Sequence, residues 1–266
     1  MSKLLENALR HDRGIVATAL FIASLLAWGY LLSGAGMSMG AFEMTRHSLM
    51  PMQADMMQTP IWTPGYALLM FSMWWVMMTA MMLPSAAPTI LLAAAINLRS
   101  NTRQAPFGST GLFTAGYLLA WAGFSLAAIF TQWLLHQNGV LNSVMVSESR
   151  LISGILLITA GLWQFSPWKY ACLRHCQSPL EFLSQNQREG PLGALLMGMH
   201  HGVYCLGCCW FLMALLFVGG VMNLYWIIGL TIYVWVEKVL SSGFRTGRIM
   251  GMLLVIWGTA LIAGFI

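Results

Sequence analysis

Long apolar runs separated by short polar breaks set the pattern of this chain. The first, IVATALFIASLLAWGYLLSGAG, covers residues 15–36. Others follow at 65–84, 110–135, 151–167, 191–216, 219–239 and 249–266, the first of these extending past Pro84 and Pro88 toward residue 96. None alternates as a barrel strand does, and only helices satisfy their own backbone in an open bundle joined by loops. The pattern predicts an all-α, polytopic transmembrane helix bundle of about seven spans, each needing roughly 20 residues. The fourth and seventh runs are short for a full crossing. The first is too long for a signal-peptide core and no small-residue cleavage site follows it, so it is expected to be retained.

Composition agrees with the pattern. The chain is 58% hydrophobic and 8% charged, whereas a soluble domain carries about 25% charged residues. A single integral membrane domain over residues 1–266 is the economical reading. The formal charge of +5 does not point to nucleic acid, because the basic residues fall in short loops and form no stripe. They do predict orientation. With the N-terminus inside, Lys3, Arg10, Arg13, Arg99, Arg103, Lys169, Arg174, Arg188, Lys238, Arg245 and Arg248 lie on the cytoplasmic side, against Arg46 and Arg150 outside. This predicts N-in and C-out, an outer segment at 37–64 and a cytoplasmic loop at 168–190.

The fifth run holds MHHGVYCLGCCWFLM, residues 199–213. On a helix, Met197, His201, Cys205 and Cys208 share a stripe within about 80° of arc, with Cys209 at one edge and His200 at the other. The i,i+4 pair His201/Cys205 and the i,i+3 pair Cys205/Cys208 are close enough to share an ion. Thiol, thioether and imidazole together select soft or borderline ions, Cu(I) first and zinc or another soft metal after it. Ionisable residues inside a membrane are costly and usually functional. The bland alternative is that cysteine packs as a small hydrophobe. The second run, LLMFSMWWVMMTAMMLP, carries Met73, Met77 and Met81 on one side, at the depth expected for Cys205 and Cys208. It is the expected facing surface, although methionine is also a common core filler.

Three further groups enter. The outer stretch MSMGAFEMTRHSLMPMQADMM supplies Met37, Met39, His47, Met50 and Met52 as candidates to capture Cu(I) where thiols would oxidise; it also fits an amphipathic interfacial helix. The cytoplasmic segment contains CLRHC, with Cys172, His175 and Cys176 as candidate inner ligands, one short of a closed zinc site. Glu237 is within helical reach of His200 and His201 as a supporting carboxylate, with Lys238 expected to snorkel outward. The five cysteines, split three and two, form no disulfide framework.

The motifs WWVMMTAMMLPSAAP, CLGCCWFLMALLFVGGVMN and VEKVL resemble those of a bacterial family of predicted metal-binding integral membrane proteins carrying a domain of unknown function. The resemblance, over roughly residues 65–240, implies an inner-membrane location and metal binding but names no reaction. Three readings follow. The first is a Cu(I)-binding protein of transport, delivery or homeostasis, working with a periplasmic metallochaperone or a membrane cuproenzyme. The second is a thiol–disulfide oxidoreductase using Cys205-x-x-Cys208, which needs an unwound turn that Gly202 and Gly207 would permit. The third is a non-catalytic subunit or assembly factor.

Overall fold

The computed structural model describes residues 3–37, 39–49, 61–99, 106–141, 149–186, 188, 190–239 and 243–265. They are all-helical: α1 (Lys3–Leu32), α2 (Ala41–Leu49), α3 (Pro64–Arg99), α4 (Pro106–Gln137), α5 (Arg150–Trp163), α6 (Pro167–Gln177), α7 (Pro179–Gln185), α8 (Gly190–Ala214), α9 (Leu216–Gly219), α10 (Leu224–Val239) and α11 (Gly243–Ile262). Five helical stretches are long and apolar enough to cross a membrane: Gly14–Leu32, Pro64–Ile96, Ser109–Gln137, Gly190–Gly219 and Arg245–Ile262. Together α5 and α6 are also apolar enough, but they are bent by 64° at their junction, the form of a broken span or a re-entrant loop. The run at 219–239 is broken instead. Gly220 adopts φ +97°, which only glycine takes without strain, and the remaining α10 has 16 residues.

Local sequence explains the breaks. Ser149 caps α5 by accepting from Ile152 N, Ser166 caps α6 by accepting from Trp168 N, and Pro167 and Pro179 stand at the first turns of α6 and α7. By contrast Pro84 and Pro88 lie within α3, which continues through both.

Glycines set which helices touch. Gly198 and Gly202 on α8 lie against the backbone of Phe113 and Tyr117 on α4, and Gly116 lies against Leu195 and Met199. A methyl group at any of these would clash, so α4 and α8 run parallel in close contact, the small-residue packing familiar from membrane helices. Gly154, Gly161, Gly251 and Gly258 do the same for an antiparallel α5–α11 pair. The methionine helix α3 packs on α1 and α4, while α8 packs on α4 and α6. Most of residues 168–190, expected as a cytoplasmic loop, forms two helices, of which α6 packs on α8 and α7 on α3.

Candidate metal centre

Cys205 is the hub, and three other helices reach it. The Tyr117 hydroxyl of α4 stands 3.2 Å from Cys205 Sγ. It can do so because Gly198 and Gly202 let α4 close on α8. Lys238 of α10 donates from Nζ to the same sulfur at 2.9 Å and to Ser85 Oγ of α3 at 3.1 Å. The thiol of Cys176, on α6, is a near neighbour of Cys205 and Cys208 where α6 packs on α8. Cys205, Cys208 and Cys209 are fully buried, and Cys172 and Cys176 half-buried. All five thiols are free. Cys208 and Cys209 both donate to the carbonyl of Cys205, each at 3.0 Å.

The two cysteine sets, expected apart, are therefore one neighbourhood. Cys172 Sγ lies over Gly207, where a methyl group would come within 2.7 Å of it. His175 stacks on Tyr204 with ring centroids 4.2 Å apart. Neither Gly202 nor Gly207 unwinds α8. They admit α4 and α6 instead, and the helix is continuous from Gly190 to Ala214. The turn that a direct Cys205–Cys208 bond requires is not there.

His201 is buried among Phe113, Tyr117 and Phe182, with ring centroids 6.1, 5.8 and 5.2 Å away. Its Nδ1 has no hydrogen-bond partner among the described residues. His200 is exposed, its ring 5.2 Å from that of Tyr204. Met73, Met77 and Met81 are fully buried in the same core as the thiols. The groups found on Cys205 itself, however, are Tyr117, Lys238 and Cys176, and α3 contributes Ser85 beside the ammonium and the Met82 carbonyl that accepts from Tyr117 at 3.2 Å. Higher on α3, the sulfur of Met70 accepts from Gln132 Nε2 at 3.6 Å.

Glu237 and Lys238 sit otherwise than expected. Glu237 pairs with Lys169 of α6 and accepts from Tyr233 Oη at 3.1 Å, and its backbone carbonyl accepts from Gln177 at 2.8 Å. These partners belong to α6 and α10, and Gly247 of α11 also lies against the carboxylate. Gln164 accepts a further bond from Lys169. Lys238 turns inward rather than snorkelling. Two of the basic residues counted for orientation, Lys169 and Lys238, are therefore buried in the bundle.

In the segment expected outside, Met37 and Met39 are half-buried in the turns between α1 and α2. His47 belongs to α2, but its side chain lies outside the described residues, as do Met50 and Met52. Among the described residues no three His, Cys, Asp or Glu side chains are grouped so as to hold a metal ion. With Cys208 and Cys209 turned to their own helix carbonyl and an ammonium on Cys205, the thiols are neighbours without converging on a common point.

A family of copper chaperones, PpoB2, matches residues 71–261. The chain belongs to that copper chaperone family. The matched stretch runs from the first turns of α3 into the last turn of α11, and so includes every cysteine and both buried lysines. Met37, Met39, Met50 and Met52 precede it. No curated protein and no solved structure matches the chain.

Sequence reasoning missed Tyr117, Ser85, Gln164 and Lys169 as members of this region. Tyr117 and Ser85 carry no signal of their own in apolar helices. Lys169 was readable only as one more loop cation. The glycine pairs were the available clue, since each marks where another helix comes closest.

Proposed function

We infer that this protein is a membrane-embedded copper chaperone that holds Cu(I) as cargo on sulfur atoms gathered where α6 meets α8, and hands it to a recipient protein. The observation that carries the reading is the packing of α6, which bears Cys172 and Cys176, against α8, which bears Cys205, Cys208 and Cys209, with Cys172 Sγ lying directly over Gly207. One helix alone offers an ion two thiols at best; a second helix makes a sulfur-rich site, and such sites favour Cu(I) over harder ions. Membership of a copper chaperone family supports copper over the oxidoreductase and subunit readings. Tyr117 and His201 line the site, the latter with an unused nitrogen one turn from Cys205.

The membrane part of the reading rests on apolar surface. Phe21, Leu25 and Leu26 of α1, Leu126 and Phe130 of α4, and Leu253 and Ile256 of α11 face outward, which suits lipid. The five long helices, the bent α5–α6 pair and the short α10 together would give seven crossings with the N-terminus inside and the C-terminus outside. In that frame the chain sits in a bacterial inner membrane, Met37, Met39, His47, Met50 and Met52 collect Cu(I) outside, and the recipient is a metallochaperone or a membrane cuproenzyme. The methionines Met73, Met77 and Met81 border the site from α3.

Purified protein loaded anaerobically tests the central claim. Wild type is expected to retain Cu(I) against a weak chelator, and the Cys205/Cys208/Cys209→Ser triple variant to lose it. Cys176→Ser alone is expected to weaken retention by about tenfold, the scale of one lost ligand interaction. Unchanged retention in both variants removes the site from the reading. Reporter fusions at the C-terminus test the orientation.

A further inference from the structure

Lys238 is the penultimate residue of α10, yet its side chain runs into the bundle and is only 8% exposed. A buried ammonium is costly unless its charge is answered. The other buried lysine meets that cost with a carboxylate, in the Lys169–Glu237 pair. Lys238 is met by a hydroxyl, Ser85 Oγ at 3.1 Å, and by a sulfur, Cys205 Sγ at 2.9 Å. That sulfur is the hub of the thiol cluster.

We propose that Lys238 is a tethered competitor for the copper cargo: its ammonium occupies the side of Cys205 that Cu(I) takes, withdraws to Ser85 when Cu(I) binds, and returns as Cu(I) leaves. This rests on the reading of Cys205 as a copper ligand. An ammonium and Cu(I) carry the same single charge and are drawn to the same sulfur. In a weakly screened interior two like charges cannot share it without strong repulsion. Ser85 already holds the ammonium at 3.1 Å and keeps it when the sulfur is given up. Ser85 Oγ donates to the Met82 carbonyl at 2.8 Å, which leaves its lone pairs for Lys238. The arrangement of the other sulfurs fits the same picture. While the ammonium is on Cys205, Cys208 and Cys209 are turned to the Cys205 carbonyl, and its departure frees the side they must share with a metal.

The exchange needs no redox partner. Cu–S bonds form, the N–H···S hydrogen bond breaks, protons still on the ligating sulfurs pass to buffer, and Lys238 keeps its own. Copper remains Cu(I) throughout. The consequence suits a chaperone, because a built-in rival cation lowers retention and speeds hand-over without removing a ligand.

The test is chelator competition on full-length protein in detergent, loaded anaerobically and challenged with the chromogenic Cu(I) chelator bathocuproine disulfonate. Lys238→Met removes the rival and keeps most of the volume. It is expected to hold Cu(I) at least about tenfold more tightly than wild type and to release it correspondingly slowly. Ser85→Ala leaves the ammonium the sulfur alone in the empty site and no partner once Cu(I) takes that sulfur, so it is expected to shift retention the other way, by about threefold, the scale of one modest hydrogen bond. Equal or weaker retention in Lys238→Met overturns the proposal, and if that variant cannot be purified, unchanged or tighter retention in Ser85→Ala does so. Should wild type itself bind no Cu(I), the copper reading of the site fails, a result distinct from either of these.

Discussion

Glu237 and Lys238 are adjacent in sequence and end in two unlike corners of the molecule. At the first, Lys169 and Glu237 pair with side chains 0% and 1% exposed, and Gln164, Tyr233 and Gln177 supply further hydrogen bonds. Charge there is answered by charge. At the second, the Lys238 ammonium faces Ser85 and a cluster of thiols. The first corner has the makings of a clamp, holding α6 to the end of α10 and thereby bringing Cys176 to α8. The second has the makings of a cargo site, where a cation is held by groups that also favour a soft metal. The two buried lysines thus differ in what answers them, a carboxylate at Lys169 and a hydroxyl with a sulfur at Lys238.

Variants at the first corner should cost stability most. Glu237→Gln leaves Lys169 as an unpaired buried charge, and a loss of about 3–5 kcal/mol is expected. Thermal unfolding in detergent reads it, and a melting temperature equal to wild type would dissolve the clamp. Gly247→Ala comes next. Its added methyl would stand 2.9 Å from Glu237 Oε1, an overpacking cost of about 1–3 kcal/mol by the same measurement. Replacing both charges, Lys169→Met with Glu237→Met, should recover most of the loss, since a buried pair and a well-packed apolar pair are often of similar stability. A double variant as unstable as the single one would mean that the charges do more than hold the helices.

The second corner should respond in copper rather than in stability. Cys176→Ala is expected to weaken Cu(I) retention by about tenfold while the melting temperature stays near wild type. The smallest effect belongs to the methionine helix. Met77→Leu conserves volume and should cost less than about 1.5 kcal/mol, with copper retention unchanged. A drop in retention would bring the thioethers of α3 into direct contact with the cargo and blur the contrast between the corners.

Much of this was legible in the chain. The helical class follows from apolar runs without alternation. The stripe of His201, Cys205 and Cys208 follows from helical periodicity alone, and these residues do lie on one buried side of α8. The run at 219–239 read as one long helix because the signal at Gly220 is a backbone conformation, not a change in polarity. Residues 167–185 read as a loop because their charges suggested solvent. Lys169 is instead answered by Glu237, a partner 68 positions away, and pairing at that distance leaves no local trace.

The sequence by itself determined that helices would form, which side of α8 would carry sulfur, and which glycines could admit a neighbour, because these depend on residue type and a period of a few residues. Only the tertiary structure decided that Cys176 joins Cys205 and Cys208, that Tyr117 stands over them, and that Glu237 and Lys238 part company. Those outcomes depend on which helices the glycine surfaces bring together and on where buried charges find partners. Both are settled by packing across the whole bundle.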